Sequence, residues 1–310
     1  MKVTLQNPDI AIQVSGKWIL AGEHSVLRGG EALVFPLTSR YLKLNYFRTE
    51  SEFEISYDRE NHPELELIIW SVLERALNKL NLKRRDLKGH LEFESQILFG
   101  AGMGASATLC VSLTQLFSRL GFLPTKDEYE FARDLENLFH GESSGVDVAV
   151  TLHNQPLLFS RNQGYTLLRN YLKPLLYLSH TGERGVTKDC IDKVKKLFIT
   201  DKNRALLIDE KMKASVEKFK VLLSEMQIDH DAWGKTLTEA HSCFYDWGLV
   251  NEAVKRHEAE LLSFGAKAVK LTGSGGGGYM LSYWLKPPPA NVTFEMIPCF
   301  NEDQGFACEN

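Results

Sequence analysis

Hydrophobic and polar positions change period several times along the chain, and each change predicts an element. Residues Ile10 to Val14 and Lys17 to Ala21 are short and apolar, while Tyr41 to Phe47 and Phe53 to Tyr57 alternate. These predict strands of a half-buried sheet. From Pro63 to Leu80 the apolar positions Leu65, Ile68, Ile69, Val72, Leu73, Ala76, Leu77 and Leu80 recur at helical spacing, which predicts an amphipathic helix. Leu91 to Ser95 alternates again and feeds a glycine-rich turn at Gly100 to Gly104. Ala105 to Leu120 predicts a buried helix, and Thr125 with Glu128 makes a capping-box pattern for a helix to about His140. Gly145 to Thr151 and Leu157 to Ser160 predict strands. Pro174 to Ser179 opens a second alternation of strands and helices. Helices follow near Ala232 to Trp247 and Asn251 to Phe264, then strands at Ala268 to Leu271 and Tyr279 to Trp284.

Length and composition narrow the class. A chain of 310 residues favours two domains, and the return of strand signals after residue 160 places the expected boundary between 1–168 and 169–310. Hydrophobic residues make up 44% and charged residues 25%, ordinary for a globular protein. The net charge of -4, with no basic block, argues against a nucleic-acid partner. Five cysteines, Cys110, Cys190, Cys243, Cys299 and Cys308, are odd in number and widely spaced, with no CxxC pair. A reduced, cytoplasmic setting follows. No basic-then-apolar leader and no run of about 18 apolar residues is present, so neither export nor a membrane span is expected.

Four segments carry chemistry. In the first, Gly100, Ala101, Gly102, Met103, Gly104, Ala105 and Ser106 link a strand to a helix start. Glycines allow positive φ and close backbone approach, and a helix N-terminus favours phosphate. The pattern is neither a Walker A loop nor GxGxxG. A tight turn with small residues for packing is the plainer reading. In the second, Lys270-Leu-Thr272-Gly273-Ser-Gly-Gly-Gly-Gly278 lies between two apolar strands, which suits a loop that gathers backbone N–H groups better than a flexible linker. In the third, Lys17, Glu23 and His24 flank an apolar strand; alone, each reads as a structural polar residue. In the fourth, Glu136 and His140 share a helix face, and Asp147 enters apolar strand material, where an ionised carboxylate is costly unless paired or functional.

In this order the four segments resemble the GHMP kinases, named for galactokinase, homoserine kinase, mevalonate kinase and phosphomevalonate kinase. The motifs span residues 14–278, nearly the whole chain. Gly22-Glu-His-Ser-Val26 and Ser144-Gly-Val-Asp147 are most similar to the mevalonate kinase branch, and Thr181 to Thr187 is a looser match. The resemblance implies a two-domain α/β (α+β) fold, its N-terminal half like ribosomal protein S5 domain 2 and its C-terminal half ferredoxin-like. It implies ATP as co-substrate, Mg²⁺ as cofactor and mevalonate as the small hydroxylated acid acted on. Carried over by position, Ser106 and Glu136 would ligate Mg²⁺, and Gly100 to Ser106 would hold the triphosphate. Asp147 and Lys17 would act on the acceptor hydroxyl. Glu23, His24, Thr187, Thr272 and Gly273 would lie on the substrate side, together with Lys17 and Asp147.

Some positions depart from the family pattern. Phe99 stands for a usual proline, Ala105 for a serine, Val148 for an asparagine and Arg28 for a tyrosine. Val148 is more like phosphomevalonate kinases, which would need extra basic groups such as Arg184 and Lys188. A non-catalytic ATP and metabolite sensor on the same fold is the reading from another class, and a homodimer stays open.

Overall fold

The computed structural model describes residues 7–57, 65–98, 100–140 and 143–300. Among these, the elements in chain order are β1 (Ile10–Ala21), β2 (Glu31–Phe47), β3 (Glu54–Tyr57), α1 (Leu65–Lys79), β4 (His90–Ser95), α2 (Ala105–Arg119), α3 (Glu128–His140), α4 (Val146–His153), β5 (Leu157–Ser160), β6 (Gly164–Leu167), β7 (Leu176–His180), α5 (Thr187–Thr200), α6 (Lys202–Ser224), α7 (His230–Asp246), α8 (Glu252–Ser263), β8 (Ala268–Leu271), β9 (Tyr279–Tyr283) and β10 (Ile297–Pro298). This is the mixed α/β architecture with two sheets that the resemblance implies. Expectations at Pro63, Phe99 and Cys308, and for the His140 side chain, fall outside the described residues.

The chain divides into two compact units, and β1 and β2 each contribute to both. The first unit takes residues up to Gly16, Arg40–Leu98 and Ala105–Asn154. In it β3 runs parallel to β4, and β4 pairs antiparallel with the end of β2, Leu44 opposite Phe93. Helices α1 to α4 pack on one another. Their buried residues, such as Val72, Leu73, Leu109, Leu113 and Leu135, sit at helical spacing, each contributing roughly 1.5–3 kcal/mol of burial. Helix α2 is buried almost all round, as its run of small and apolar residues predicts.

The second unit takes Lys17–Ser39, residues 99–104 and the chain from Gln155 onward. The start of β2 pairs antiparallel with β5, Leu33 opposite Leu158, and β5 forms a hairpin with β6. A separate antiparallel sheet has the order β10-β7-β9-β8. Helix α7 packs on β8 and α6, and α5 packs on α6. Asp201, Asp229 and Asn251 cap α6, α7 and α8 through their side-chain oxygens.

Three expectations need correction. The segment 145–151 is not a strand: Val146–His153 is helix α4. Its sequence, Val-Asp-Val-Ala-Val-Thr, is apolar on nearly every side, and such a short run cannot be assigned by period alone. Thr125 and Glu128 form no capping box. Thr125 opens a 3₁₀ turn behind Pro124, its hydroxyl lies 3.5 Å from that of Ser118, and α3 begins at Glu128. The two expected strands at 10–14 and 17–21 are one continuous strand, β1.

Candidate active site

In the second unit, residues 100–104 form a loop with positive φ at Gly100, Gly102 and Gly104. Ala101 and Met103, between the glycines, are buried. The Met103 carbonyl accepts from the Lys17 backbone N–H at 3.0 Å, tying the loop to β1. A Cβ on Gly104 would sit 2.8 Å from Lys17 Cγ, so only glycine leaves room for the lysine stem. Lys17 itself is buried. The Arg184 Cδ lies 3.7 Å from where a Gly100 Cβ would be.

The segment after β1 holds Glu23 and His24, both buried. Glu23 accepts from Lys270 Nζ at 2.5 Å. Burial raises the Glu23 carboxyl above its usual range, and Lys270 opposes that shift. Burial likewise lowers the Lys270 ammonium, opposed by Glu23. His24 Nε2 donates to the Ser274 carbonyl at 2.8 Å, which assigns its proton to that nitrogen. Burial lowers the His24 pKa to about 4, so the ring is neutral at ordinary pH. Its ring meets Trp247 edge to face at 5.0 Å. Arg28, in the family's tyrosine position, makes a two-pronged ion pair with buried Asp209, at 2.5 and 2.7 Å.

The second glycine segment is tied to its neighbours at two points. The N–H groups of Gly276 and Gly278 donate to the carbonyls of Leu249 and Glu183, at 2.8 and 2.7 Å. Those two groups are engaged within the protein. The Thr272 hydroxyl accepts from Ile19 N–H at 2.9 Å and donates to Ile19 C=O at 3.1 Å, clamping β1. Gly273 approaches the first loop: its Cβ position lies 3.4 Å from the Gly102 carbonyl. Thr187 opens α5, and its hydroxyl lies 3.2 Å from that of Ser274.

In the first unit, the loop leads along the chain into α2, where Ala105 is the first residue and Ser106, half-buried, the second. Unpaired N–H groups and the positive dipole end at such a helix start favour an anion. Glu136 on α3 is 2% exposed and accepts from the Ser143 hydroxyl. Burial and then the Glu136 charge push the Cys110 thiol well up. Cys110 lies four residues after Ser106 and so shares its face of α2. Asp147 is half-buried in the first turn of α4, a position the helix dipole favours for a negative charge. Gly145 before it has φ 83°, and a Cβ there would collide with the Tyr129 hydroxyl. Of the departures, Val148 is fully buried in α4 and Ala105 is buried at the start of α2.

Sequence reasoning missed Lys270 and Asp209 as partners of Glu23 and Arg28. Lys270 stands in the second glycine motif, and a lysine in a strand of otherwise apolar residues was the available signal. Asp209 carried none, since each partner lies more than a hundred residues away in sequence. No cluster of three or more His, Cys, Asp or Glu suited to a metal occurs among the described residues. None of their helices is long and apolar enough to cross a membrane.

Comparison with known proteins agrees with the motif order. A model of the GHMP kinases N terminal domain matches residues 68–155. The mevalonate kinase of Thermococcus sibiricus is 28% identical over 296 residues, covering 87% of each chain. That of Pyrococcus furiosus is 27% identical over 298 residues, again covering 87% of each. Among solved structures, L. major mevalonate kinase in complex with R-mevalonate superposes with a TM-score of 0.76 at 19% identity, over 93% of this chain and 91% of that one. The motif order, the matched N-terminal domain and a likeness running along most of the chain agree in likening this chain to the GHMP kinases.

Proposed function

We propose that this protein is a kinase that transfers the γ-phosphoryl group of ATP to the C5 hydroxyl of mevalonate, giving 5-phosphomevalonate for isoprenoid precursor synthesis. The observation that carries this reading is the likeness to curated mevalonate kinases over 87% of the chain. Phosphoryl transfer asks for positioning and charge neutralisation more than covalent chemistry. The loop of Gly100, Ala101, Gly102, Met103 and Gly104, with Ala105 and Ser106 at the helix start, holds the phosphates. The Ser106 hydroxyl and the Glu136 carboxylate are hard oxygen donors that suit Mg²⁺, with water and phosphate completing the shell. A Mg²⁺ ion held there would supply neutralisation of phosphate charge. Asp147 receives or orients the proton of the acceptor hydroxyl. Lys17 supplies a buried positive charge for the developing oxyanion. Glu23, His24, Thr187 and Gly273 form the acceptor side, with Thr272 holding β1 behind them. The family's two domains follow the chain as 1–168 and 169–310, a division by descent that differs from the compact units.

The test is an acceptor panel of mevalonate, phosphomevalonate, homoserine and galactose, with ATP and Mg²⁺. Product with mevalonate, abolished by EDTA and restored by Mg²⁺, is expected. Asp147→Asn keeps shape and hydrogen bonding but removes the base. Its single-turnover rate should fall about 10²–10⁴-fold, with ATP affinity by calorimetry little changed. Brisk turnover of another acceptor alone would move the substrate and leave the kinase.

A further inference from the structure

His24 holds its backbone at φ 57° and ψ -46°. That is a left-handed φ with a ψ outside the small region an L-residue uses there. A residue in such a conformation persists only where its surroundings over-determine it. The restraints lie on both sides. Before it, Gly22 follows β1 at φ 108°, and its carbonyl accepts from the Ser25 hydroxyl at 3.2 Å and the Val26 N–H at 3.1 Å. The His24 ring is tied to the Ser274 carbonyl. After it, a 3₁₀ turn runs from Ser25 to Arg28, with the Leu27 N–H on the His24 carbonyl at 3.2 Å. The turn ends on Arg28, whose Nε and Nη2 donate to the two carboxylate oxygens of Asp209 at 2.5 and 2.7 Å. Asp209 is buried on α6. The same guanidinium lies over the Phe198 ring of α5, 4.4 Å from its centroid.

A fork of two hydrogen bonds sets the guanidinium in direction as well as distance, and the ring beneath it sets its plane. The far end of the turn is thereby fastened to two helices. We propose that Arg28 is a positioning residue for phosphoryl transfer: its fork on Asp209 anchors the end of the turn, and so keeps the strained His24, with Glu23 beside it, presented to the acceptor. This rests on the assignment of Glu23 and His24 to the acceptor side above.

Three variants test it. Arg28→Lys keeps the charge but loses the fork, since an ammonium has neither the paired N–H groups nor the flat face. Per folded molecule, kcat/KM for mevalonate should fall about 10²-fold, the scale of a slightly displaced positioning group, with ATP affinity by calorimetry within about threefold. Asp209→Asn breaks the pair from the other side and should do the same. Arg28→Met combined with Asp209→Leu separates positioning from stability. Apolar residues in place of both members of a buried pair often keep or raise stability. This variant should therefore resist urea as the unsubstituted protein does, yet retain the low kcat/KM. A merely structural pair predicts that the stable double variant works at the unsubstituted rate, and that result overturns the proposal. A second readout needs no acceptor: the ring ¹⁵N resonances of His24, assigned through His24→Gln. The bond from Nε2–H to Ser274 keeps the ring in one neutral tautomer, so its two nitrogens resonate far apart at neutral pH. In each folded variant they should move towards each other, as the ring leaves Ser274 and samples both tautomers. Unmoved resonances also overturn the proposal, and any one folded variant suffices for this reading. Failure of the acceptor panel with moved resonances changes the substrate and supports the anchor.

Discussion

At residues 100–104 the glycines alternate with Ala101 and Met103, whereas at 273–278 five glycines surround a single serine, four of them consecutive. All of these glycines have positive φ, yet their surroundings differ. In the first loop a Cβ on Gly100 or Gly102 would find its nearest neighbour at 3.7 or 3.5 Å, ordinary contact. In the second, a Cβ on Gly275, Gly276, Gly277 or Gly278 would approach Leu249, Cys190, Glu183 or Ala101 within 2.6–2.9 Å. At Gly100 and Gly102 glycine is required by backbone conformation, with space left around the missing Cβ, whereas Gly104 is also crowded by the Lys17 stem. At Gly275 to Gly278 in the second it is required by packing as well, because backbone and side chains crowd in from several sides. Glycine richness alone therefore does not separate a phosphate cradle from a tightly packed crossing. The neighbours of the missing Cβ do.

The strongest way to break this contrast is Gly278→Ala. The substitution adds left-handed strain of roughly 1–2 kcal/mol and an overpacking cost of about 1–3 kcal/mol against the Ala101 carbonyl. A stability loss of about 2–5 kcal/mol by urea unfolding is expected, with ATP affinity per folded molecule retained. Native stability combined with lost ATP binding would make the second loop a cradle and erase the distinction.

Next in size is a pH effect that reaches the second loop through His24, whose Nε2–H holds the Ser274 carbonyl. In the unfolded chain His24 takes a proton near the ordinary imidazole value of 6.5, whereas in the folded protein burial lets it do so only at about 4. Between these values the unfolded state binds more protons, so stability is fully present above the upper value and is lost as pH falls towards the lower. The loss is about 1.4 kcal/mol per pH unit for each such group, about 3 kcal/mol in all for His24. His257, bonded to the Ser179 hydroxyl at 2.7 Å, is likewise lowered to about 4 by burial. Urea unfolding across this window should therefore show steepening instability on acidification. His24→Gln should remove about one proton's share of that slope. An unchanged slope would mean that the His24–Ser274 link does not hold the neutral ring in place.

How much of this was legible before the structure follows from where the information lies. Motifs contiguous in sequence, such as 100–106, 22–26 and 144–147, could be read directly, because turn chemistry and helix starts are local. Helix α4 was misread because its polar positions are too few to mark a face. Helices α5 and α6 were passed over. In α6 the inward positions include Asp209 and Ser215 as well as Ile208, Met212, Val216 and Phe219, and those polar residues blur the apolar stripe. The roles of Asp209, Lys270 and the Thr272 hydroxyl depend on partners from remote strands and helices. No local pattern carries that information.

The smallest expected effect sharpens the contrast from the side of the first loop. Gly102 has φ 89°, and a Cβ there would meet only the Thr272 carbonyl, at 3.5 Å. Gly102→Ala therefore adds conformational strain of roughly 1–2 kcal/mol without a collision. The lower entropy of the unfolded alanine chain offsets about 0.4–1 kcal/mol of it. A net stability loss of about 1 kcal/mol is expected, visible as a fall in Tm of a few degrees. Gly121 is the matched control, with φ 85° and nothing within 4 Å of its Cβ position, at the turn after α2. Gly121→Ala carries the same strain away from the proposed site, so the two variants should lose similar stability. They should part in ATP binding. If the first loop wraps phosphate by close backbone approach, a methyl group on Gly102 stands in that path, and ATP affinity by calorimetry should fall about tenfold, about 1.4 kcal/mol. Gly121→Ala should bind ATP as the unsubstituted protein does. Equal affinities in both variants would assign Gly102 the same packing role as the glycines of the second loop and transfer phosphate binding to the helix start at Ala105 and Ser106.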